Sequence, residues 1–243
     1  MKNIHAFFII SRSMPYNIVI IAAGGQGNRI SSTLPKQYML LKDRPILMHT
    51  IDAFKDCTDK IFVVIHSDMH DLWKSQCVQY HFETPHEVIF GGKTRFQSVQ
   101  NGLRHIQHNY ADLINENTAI AVHDAARPLI TPQLIQKSFL LCQEGKGNIL
   151  GIQSINSIRV GTPGSSKALD RDKVWIIQTP QTFPATVLMK AFAQEEQSHF
   201  TDEASVVEHL GYPISILQGD PKNLKITYPE DFTIAQMYLN KKT

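Results

Sequence analysis

The glycine-rich run Ala23-Gly24-Gly25-Gln26-Gly27-Asn28-Arg29 is the first stretch whose residue types and spacing suit a reaction. Glycines let backbone N–H groups approach phosphate oxygens, and packed N–H dipoles favour an anion. Arg29 adds a permanent charge whose planar fork matches phosphate. Lys36, within Pro35-Lys36-Gln37, supplies a second cation close behind. Together Arg29 and Lys36 suit a triphosphate and the charge on a pentacoordinate phosphorus, which is electrostatic catalysis by preorganised cations. Taken singly, a glycine pair is a tight turn and Lys36 a solvated surface lysine; the combination points to phosphate. Two other phosphate loops do not fit. A Walker loop needs Gly-Lys-Ser/Thr, whereas Gly27 is followed by Asn28-Arg29. A dinucleotide fingerprint read from Gly25 needs Gly or Ala at position 30, where Ile30 stands.

The elements that must hold these groups are legible as periodicity. Ile18 to Ala23 is a continuous apolar, β-branched run that stops at glycines, as a buried parallel strand does before a turn. Further strands are expected at Ile61–Ile65, Glu87–Phe90, Ala119–His123, Ile149–Ile152 and Ile214–Leu217. Helices are expected at Ile46–Phe54, Asp68–Gln79, Thr94–Ile106, Thr131–Cys142, Pro184–Gln194 and Thr201–Leu210, with a last one from near Pro229. Strand–helix alternation predicts an α/β, Rossmann-like, mostly parallel twisted sheet with helices on both faces. The rhythm breaks over residues 153–178, where loose alternation around a Gly/Pro/Ser turn at Gly161 to Ser166 predicts a projecting β-hairpin arm.

The bulk properties bound the rest. The 243 residues are 42% hydrophobic and 19% charged, which fits a globular chain with a sizeable core. A formal net charge of +2 with no basic stripe argues against a nucleic-acid partner and makes any anion site local. No apolar run is long enough to span a bilayer, so no membrane partner is expected. Cys57, Cys77 and Cys142 are odd in number and widely spaced, which suits reduced thiols and a cytoplasmic location. Residues 1–16 read as a dispensable extension, with Met14 as an alternative start, and 17–243 as one domain. Ala6 to Ile10 is too short for the apolar core of a signal peptide.

Further motifs narrow the reading. After the loop and Pro35-Lys36-Gln37 come Gly91-Gly92, Arg95, Ser98-Val99 and Gly102-Leu103. His123-Asp124-Ala125-Ala126-Arg127-Pro128 follows at a strand end. Gln178-Thr179-Pro180-Gln181 with Phe183, Thr201-Asp202-Glu203-Ala204-Ser205 and Asn223-Leu224-Lys225-Ile226-Thr227 complete the series. In this order the series resembles the 2-C-methyl-D-erythritol 4-phosphate cytidylyltransferases, a family of the sugar-phosphate nucleotidyltransferases, from about residue 17 to the C-terminus.

The resemblance implies an enzyme that takes CTP and a sugar-alcohol phosphate and releases pyrophosphate. It implies that Ala22, Ala23, Gly24, Gly25 and Gly27 wrap the CTP together with Gly92, Arg95 and Ser98. Ala22, Ala23, Gly92 and Ser98 would read the cytosine. Arg29 and Lys36 would stabilise the transition state. Arg171 on the arm and Lys225 would grip the acceptor's phosphate, with Ser157, Thr201 and Asp202 completing that pocket and Arg127 supporting it. Asp124 ends a buried strand, where open α/β sheets place ligands. A carboxylate facing a triphosphate calls for a cation between them, so Mg²⁺ or another divalent ion is expected at Asp124. The resemblance also implies a homodimer whose arms exchange.

Two departures stand out. Asn156-Ser157 replaces the Asp-Thr usual on the arm, keeping the hydroxyl and losing a charge, and Ile30 replaces a methionine. The ribitol 5-phosphate cytidylyltransferases share the fold and chemistry, but Ala126 and Glu203-Ala204-Ser205 favour the methylerythritol enzymes. A non-catalytic nucleotide-binding protein of the same fold would be expected to lose one of the cations or the Asp. His66 and His70 suggest a metal hydrolase, yet no third ligand is in view, so they read as solvated histidines.

Overall fold

A computed structural model describes residues 15–25 and 34–240. β1 (Asn17–Ala23) leads, after a 3-10 turn at Lys36–Tyr38, to a small hairpin of β2 (Leu40–Leu41) and β3 (Arg44–Pro45) and to α1 (Ile46–Phe54). The alternation continues through β4 (Lys60–Ile65), α2 (His70–Gln79), β5 (Glu87–Phe90), α3 (Arg95–Asn109), β6 (Ala119–Asp124), α4 (Pro132–Gln143) and β7 (Gly147–Gln153). A hairpin of β8 (Ile158–Thr162) and β9 (Ser165–Leu169) interrupts it. The chain then runs through β10 (Trp175–Pro184), α5 (Ala185–Phe192), α6 (Glu203–Glu208), β11 (Ile214–Gln218) and α7 (Pro229–Asn240).

Seven strands form the central sheet in the order β11-β7-β10-β6-β1-β4-β5. Only β10 runs antiparallel to its neighbours. Both faces are covered, as the continuous apolar runs require. Val19, Ile21 and Ala23 of β1 pack with α1, α2 and α4, while Ile18 and Ile20 pack with α3, α5 and α6. That alternation is the period of two of a strand buried on both sides. Leu41, Ile46, Leu129, Ile226 and Ala235 form a smaller cluster that seats α7 over the start of α1.

The helix starts follow local chemistry. Thr94 caps α3 by accepting from the Gln97 N–H, and Thr131 caps α4 by accepting from the Leu134 N–H, with Pro132 just inside. Asp202 and Ser205 close a reciprocal capping box on α6.

The arm is shorter than the sequence predicts. Its hairpin occupies 158–169, turning at Pro163-Gly164, where Gly164 has φ +90°. Proline followed by a glycine of positive φ is the residue pair a type II turn favours. Residues from Trp175 onward belong instead to β10, which pairs with β7 and β6 inside the central sheet. A register shift between Ile177 and Gln181 bends this strand as it passes the site.

Candidate active site

The chain runs from β1 outward to β4 and β5, then returns to place β6 on the other side of β1. Such a reversal opens a crevice beyond the carboxyl ends of the strands, where open α/β sheets bind ligands. A crevice of about 690 Å³ lies there. Ala22, Ala23, Gly24, Gly25 and Asp124 form its floor, with Lys36, Gly92, Arg95, Ser98 and Lys225 on its walls. Register fixes this meeting, because Ala22 pairs with Asp124 and Ala23 with Ile65. Gly27 and Arg29 lie outside the described residues.

Gln37 ties the lysine segment to the glycine loop. Its buried amide donates to the Ala23 carbonyl at 2.6 Å and to the Gly25 carbonyl at 3.0 Å. Lys36 is thereby held at the rim beside the loop. Gly92 is required for a different reason. A Cβ there would collide with Gln97 Cβ, so only glycine lets the chain turn this close to α3. The Gly92 N–H donates to Ser98 Oγ at 3.1 Å, and Ser98 donates in turn to the Thr94 carbonyl at 2.8 Å. The hydroxyl's donor is therefore engaged in shaping the turn; one lone pair remains for a ligand.

Asp124 sits at the centre of a charge network. Its carboxylate lies 3.0 Å from Lys225 Nζ, 3.3 Å from Arg127 Nε and 3.4 Å from Arg95 Nη2. Burial alone would push this carboxyl upward, but the three cations outweigh it and hold it well below the usual carboxylate range. Arg95 bridges to a second carboxylate, Glu203, at 2.9 Å. Burial pushes Glu203 upward and Arg95 only partly offsets it. His123, next to Asp124, is wholly buried and is pushed down to about 3 by that burial. Thr179 Oγ1 faces its Nδ1 at 3.1 Å and the Arg127 carbonyl its Nε2 at 3.1 Å, so it is a neutral framework residue.

Several expected ligands stand elsewhere within the chain. Arg127 is behind Asp124, donating to the Asn223 carbonyl at 2.9 Å and to Asp124 itself, and is not on the crevice wall. Asp202 uses one oxygen to cap α6 and the other to accept from Gln181 at 2.9 Å, while the Thr201 N–H donates to Ser205 Oγ. Neither lines the crevice. Ser157 and Arg171 are exposed on the arm and away from it; Arg171 donates to the Ile155 carbonyl at 3.3 Å.

Other residues on or under the wall were given no site role by the sequence: Thr227, Gln37 and Glu203 stand only within motifs, and His66, read there as solvated, lines the crevice instead. Thr227 and His66 line the crevice, and Gln37 and Glu203 brace it. His66 immediately follows the last residue of β4, and a strand's carboxyl end beside a glycine loop was the available signal. Glu203 lies inside the Thr201–Ser205 motif, and only its burial against Arg95 sets it apart from its neighbours.

The sequence profile of the 2-C-methyl-D-erythritol 4-phosphate cytidylyltransferase family matches residues 17–241. The protein of that name from Bacteroides thetaiotaomicron is 38% identical over 223 residues, covering 91% of this chain and 98% of that one. The one from Azobacteroides pseudotrichonymphae is 38% identical over 231 residues, covering 93% and 100%. Among solved structures, the Francisella tularensis enzyme of the same name superposes with a TM-score of 0.72 at 32% identity, covering 94% of this chain and 100% of that chain. A 4-diphosphocytidyl-2C-methyl-D-erythritol synthase superposes at 0.77 with 31% identity, covering 93% and 100%. The match begins at the strand that carries the glycine loop and runs past the helix that follows Lys225, and the chain belongs to the 2-C-methyl-D-erythritol 4-phosphate cytidylyltransferase family.

Proposed function

We propose that this chain transfers CMP from CTP to 2-C-methyl-D-erythritol 4-phosphate, giving 4-diphosphocytidyl-2-C-methyl-D-erythritol and pyrophosphate in isoprenoid precursor synthesis. Family membership supports the substrates, and one observation supports the chemistry: Lys36, Arg95 and Lys225 converge on a single crevice beside a glycine loop. A phosphate oxygen of the acceptor forms the new bond to the α-phosphorus of CTP, and the bond to the β-phosphate oxygen breaks as pyrophosphate leaves. The acceptor is already ionised, so no side-chain nucleophile is needed. Positioning and charge neutralisation do the work. Lys36, joined by Arg29, neutralises the CTP phosphates, and Lys225 receives the acceptor's phosphate.

The crevice fits a divalent cation of the Mg²⁺ kind. Asp124 offers an ionised carboxylate at the floor, and among the described residues no cluster of three ligands exists that would make an all-protein cage. One carboxylate, waters and phosphates is the usual Mg²⁺ set. Asp124 would hold the ion, which supplies further neutralisation of the phosphates.

We further infer a homodimer in which the arm brings Ser157 and Arg171 to the neighbour's crevice. An isolated hairpin is marginal in water, and this arm exposes Ile155, Val160 and Leu169. Mixing Arg171→Ala with Lys36→Ala protomers tests it: activity above either parent is expected, and no recovery counts against a shared site. The free thiols Cys57, Cys77 and Cys142 agree with a cytoplasmic enzyme, and no described helix is long and apolar enough to cross a membrane.

The reaction is tested by pyrophosphate release with CTP and Mg²⁺, comparing 2-C-methyl-D-erythritol 4-phosphate with D-ribitol 5-phosphate. Preference for the first is expected. Preference for the second would overturn the acceptor while leaving the chemistry, and turnover with neither would overturn both.

A further inference from the structure

The crevice has two unlike halves on either side of β1. Over β6 it carries Asp124 and Lys225, with Arg95 reaching across. Over β4 and β5 the wall is His66, Gly92, Lys93, Thr94 and Ser98, with no carboxylate. Phosphates belong with the carboxylate-held cations of the first half and Lys36, which leaves the second half, where the cation Lys93 is exposed and held by no carboxylate of the wall, for the nucleoside.

His66 is held in that second half by its neighbours. Ile65 pairs with Ala23 on one side and with Phe90 on the other, and the Ile65 carbonyl accepts from the Gly91 N–H at 2.8 Å. His66 therefore follows at the end of the middle strand of three. Its Nδ1 accepts from the Asp68 N–H at 3.3 Å, capping the short 3-10 turn at Ser67–Met69. The Asp68 carboxylate is 3.5 Å from the same nitrogen, too far for a well-formed hydrogen bond. A lone pair committed at Nδ1 puts the proton of the neutral ring on Nε2. No hydrogen bond among the described residues uses that Nε2–H.

We propose that His66 is a specificity-determining residue for the nucleotide, donating its Nε2–H to an acceptor on the nucleoside of CTP. The inference rests on the CTP reading above and adds an imidazole donor to a half of the crevice otherwise lined by Gly92, Lys93, Thr94 and Ser98. It assigns the two ring nitrogens separate tasks: Nδ1 holds the loop, Nε2 meets the ligand.

Those tasks can be separated by substitution. His66→Asn keeps an acceptor where Nδ1 stands and loses the reach of Nε2. His66→Gln places a donor near Nε2 and loses the cap. Calorimetric titration of the full chain with CTP, and separately with inorganic tripolyphosphate, reads the contact at equilibrium. His66→Asn is expected to weaken CTP about tenfold, the worth of one hydrogen bond, while His66→Gln stays within about twofold of wild type. Tripolyphosphate affinity is expected to be the same in all three. Melting temperatures report folding, with His66→Asn matching wild type. CTP affinity retained in His66→Asn and lost in His66→Gln would make His66 a cap alone and overturn the proposal. A parallel loss for tripolyphosphate would overturn it by placing His66 among the phosphates. Wild-type protein that binds tripolyphosphate but not CTP more tightly would sink the CTP reading itself, a distinct result.

Discussion

The floor of the crevice and the arm carry two halves of one expected site and are built in opposite ways. At the floor, Asp124 is 8% exposed, and two of its three cations are fixed by further partners, Arg95 by Glu203 and Arg127 by the Asn223 carbonyl. On the arm, Arg171 keeps 57% of its side chain exposed and Ser157 is open to solvent. Buried charges cannot wait for a ligand without partners, because an unpaired ion in the interior costs several kcal/mol. The floor must therefore be complete in the folded chain. An exposed arginine carries no such cost, so the arm's cation can be left for substrate or a second protomer to organise. The same residue type is thus locked into a charge network in one region and left exposed in the other.

This contrast makes its strongest prediction at Asp124. Asp124→Ala leaves Arg95, Arg127 and Lys225 facing one another, and a loss of about 3–5 kcal/mol is expected, the range for removing one partner of a buried ionic group. Urea unfolding measures it; a loss under about 1 kcal/mol would mean the cations relax into solvent and the floor is no more built than the arm. His123 gives the next largest effect. Its folded pKa lies far below the unfolded value of 6.5, so the neutral ring supports the fold above pH 6.5 and that support is lost as pH falls. Between pH 6.5 and 5 the loss is about 2 kcal/mol. Asp124, lowered from 3.8, adds its own loss only below that value, and Glu203, raised from 4.5, acts in the opposite sense. Comparing wild type with His123→Gln at each pH isolates the histidine, and superimposable curves would refute it. Glu203→Gln is expected to change stability by no more than about 1 kcal/mol, since Arg95 keeps Asp124 as a partner and an amide costs less to bury than a carboxylate. A loss as large as that of Asp124→Ala would show that the two carboxylates on Arg95 are equivalent after all.

The parts of the fold legible in the sequence were those whose burial is apolar. β1, α1, β4 and β5 announce themselves by uninterrupted or periodic hydrophobic residues, and α1 and β5 run over the residues expected. α3 extends three residues further than its apolar spacing, because its last turn, Gln107 to Asn109, is polar. β10 escaped because Gln178, Thr179, Gln181 and Thr182 are polar yet buried in a central strand. Each is satisfied by a specific partner: Asp220 and Asn223, His123, Asp202 and Ala204, and Ser138 respectively. Periodicity cannot see such satisfaction, since it depends on residues distant in sequence. The same limit applied in the site. Residue type points to Lys36 and Asp124, and the family resemblance to Arg95 and Lys225, and all four line one crevice, but neither could tell that Arg127 and Asp202 spend their hydrogen bonds on the framework.

The smallest predicted change in stability is also the sharpest test of the contrast. Arg171→Ala removes a side chain whose partners are one carbonyl at 3.3 Å and a carboxylate at 3.9 Å, both at the surface. Its unfolding midpoint is expected to match wild type to within about 0.5 kcal/mol, as for other surface substitutions. Turnover is expected to fall at least about 100-fold, the scale seen when the positioning of a bound reactant is lost. A stable but inactive variant would place the arm wholly on the side of ligand capture. A variant that unfolds early would mean that Arg171 anchors the arm to its own chain through Ile155, and the division between a prebuilt floor and an uncommitted arm would fail.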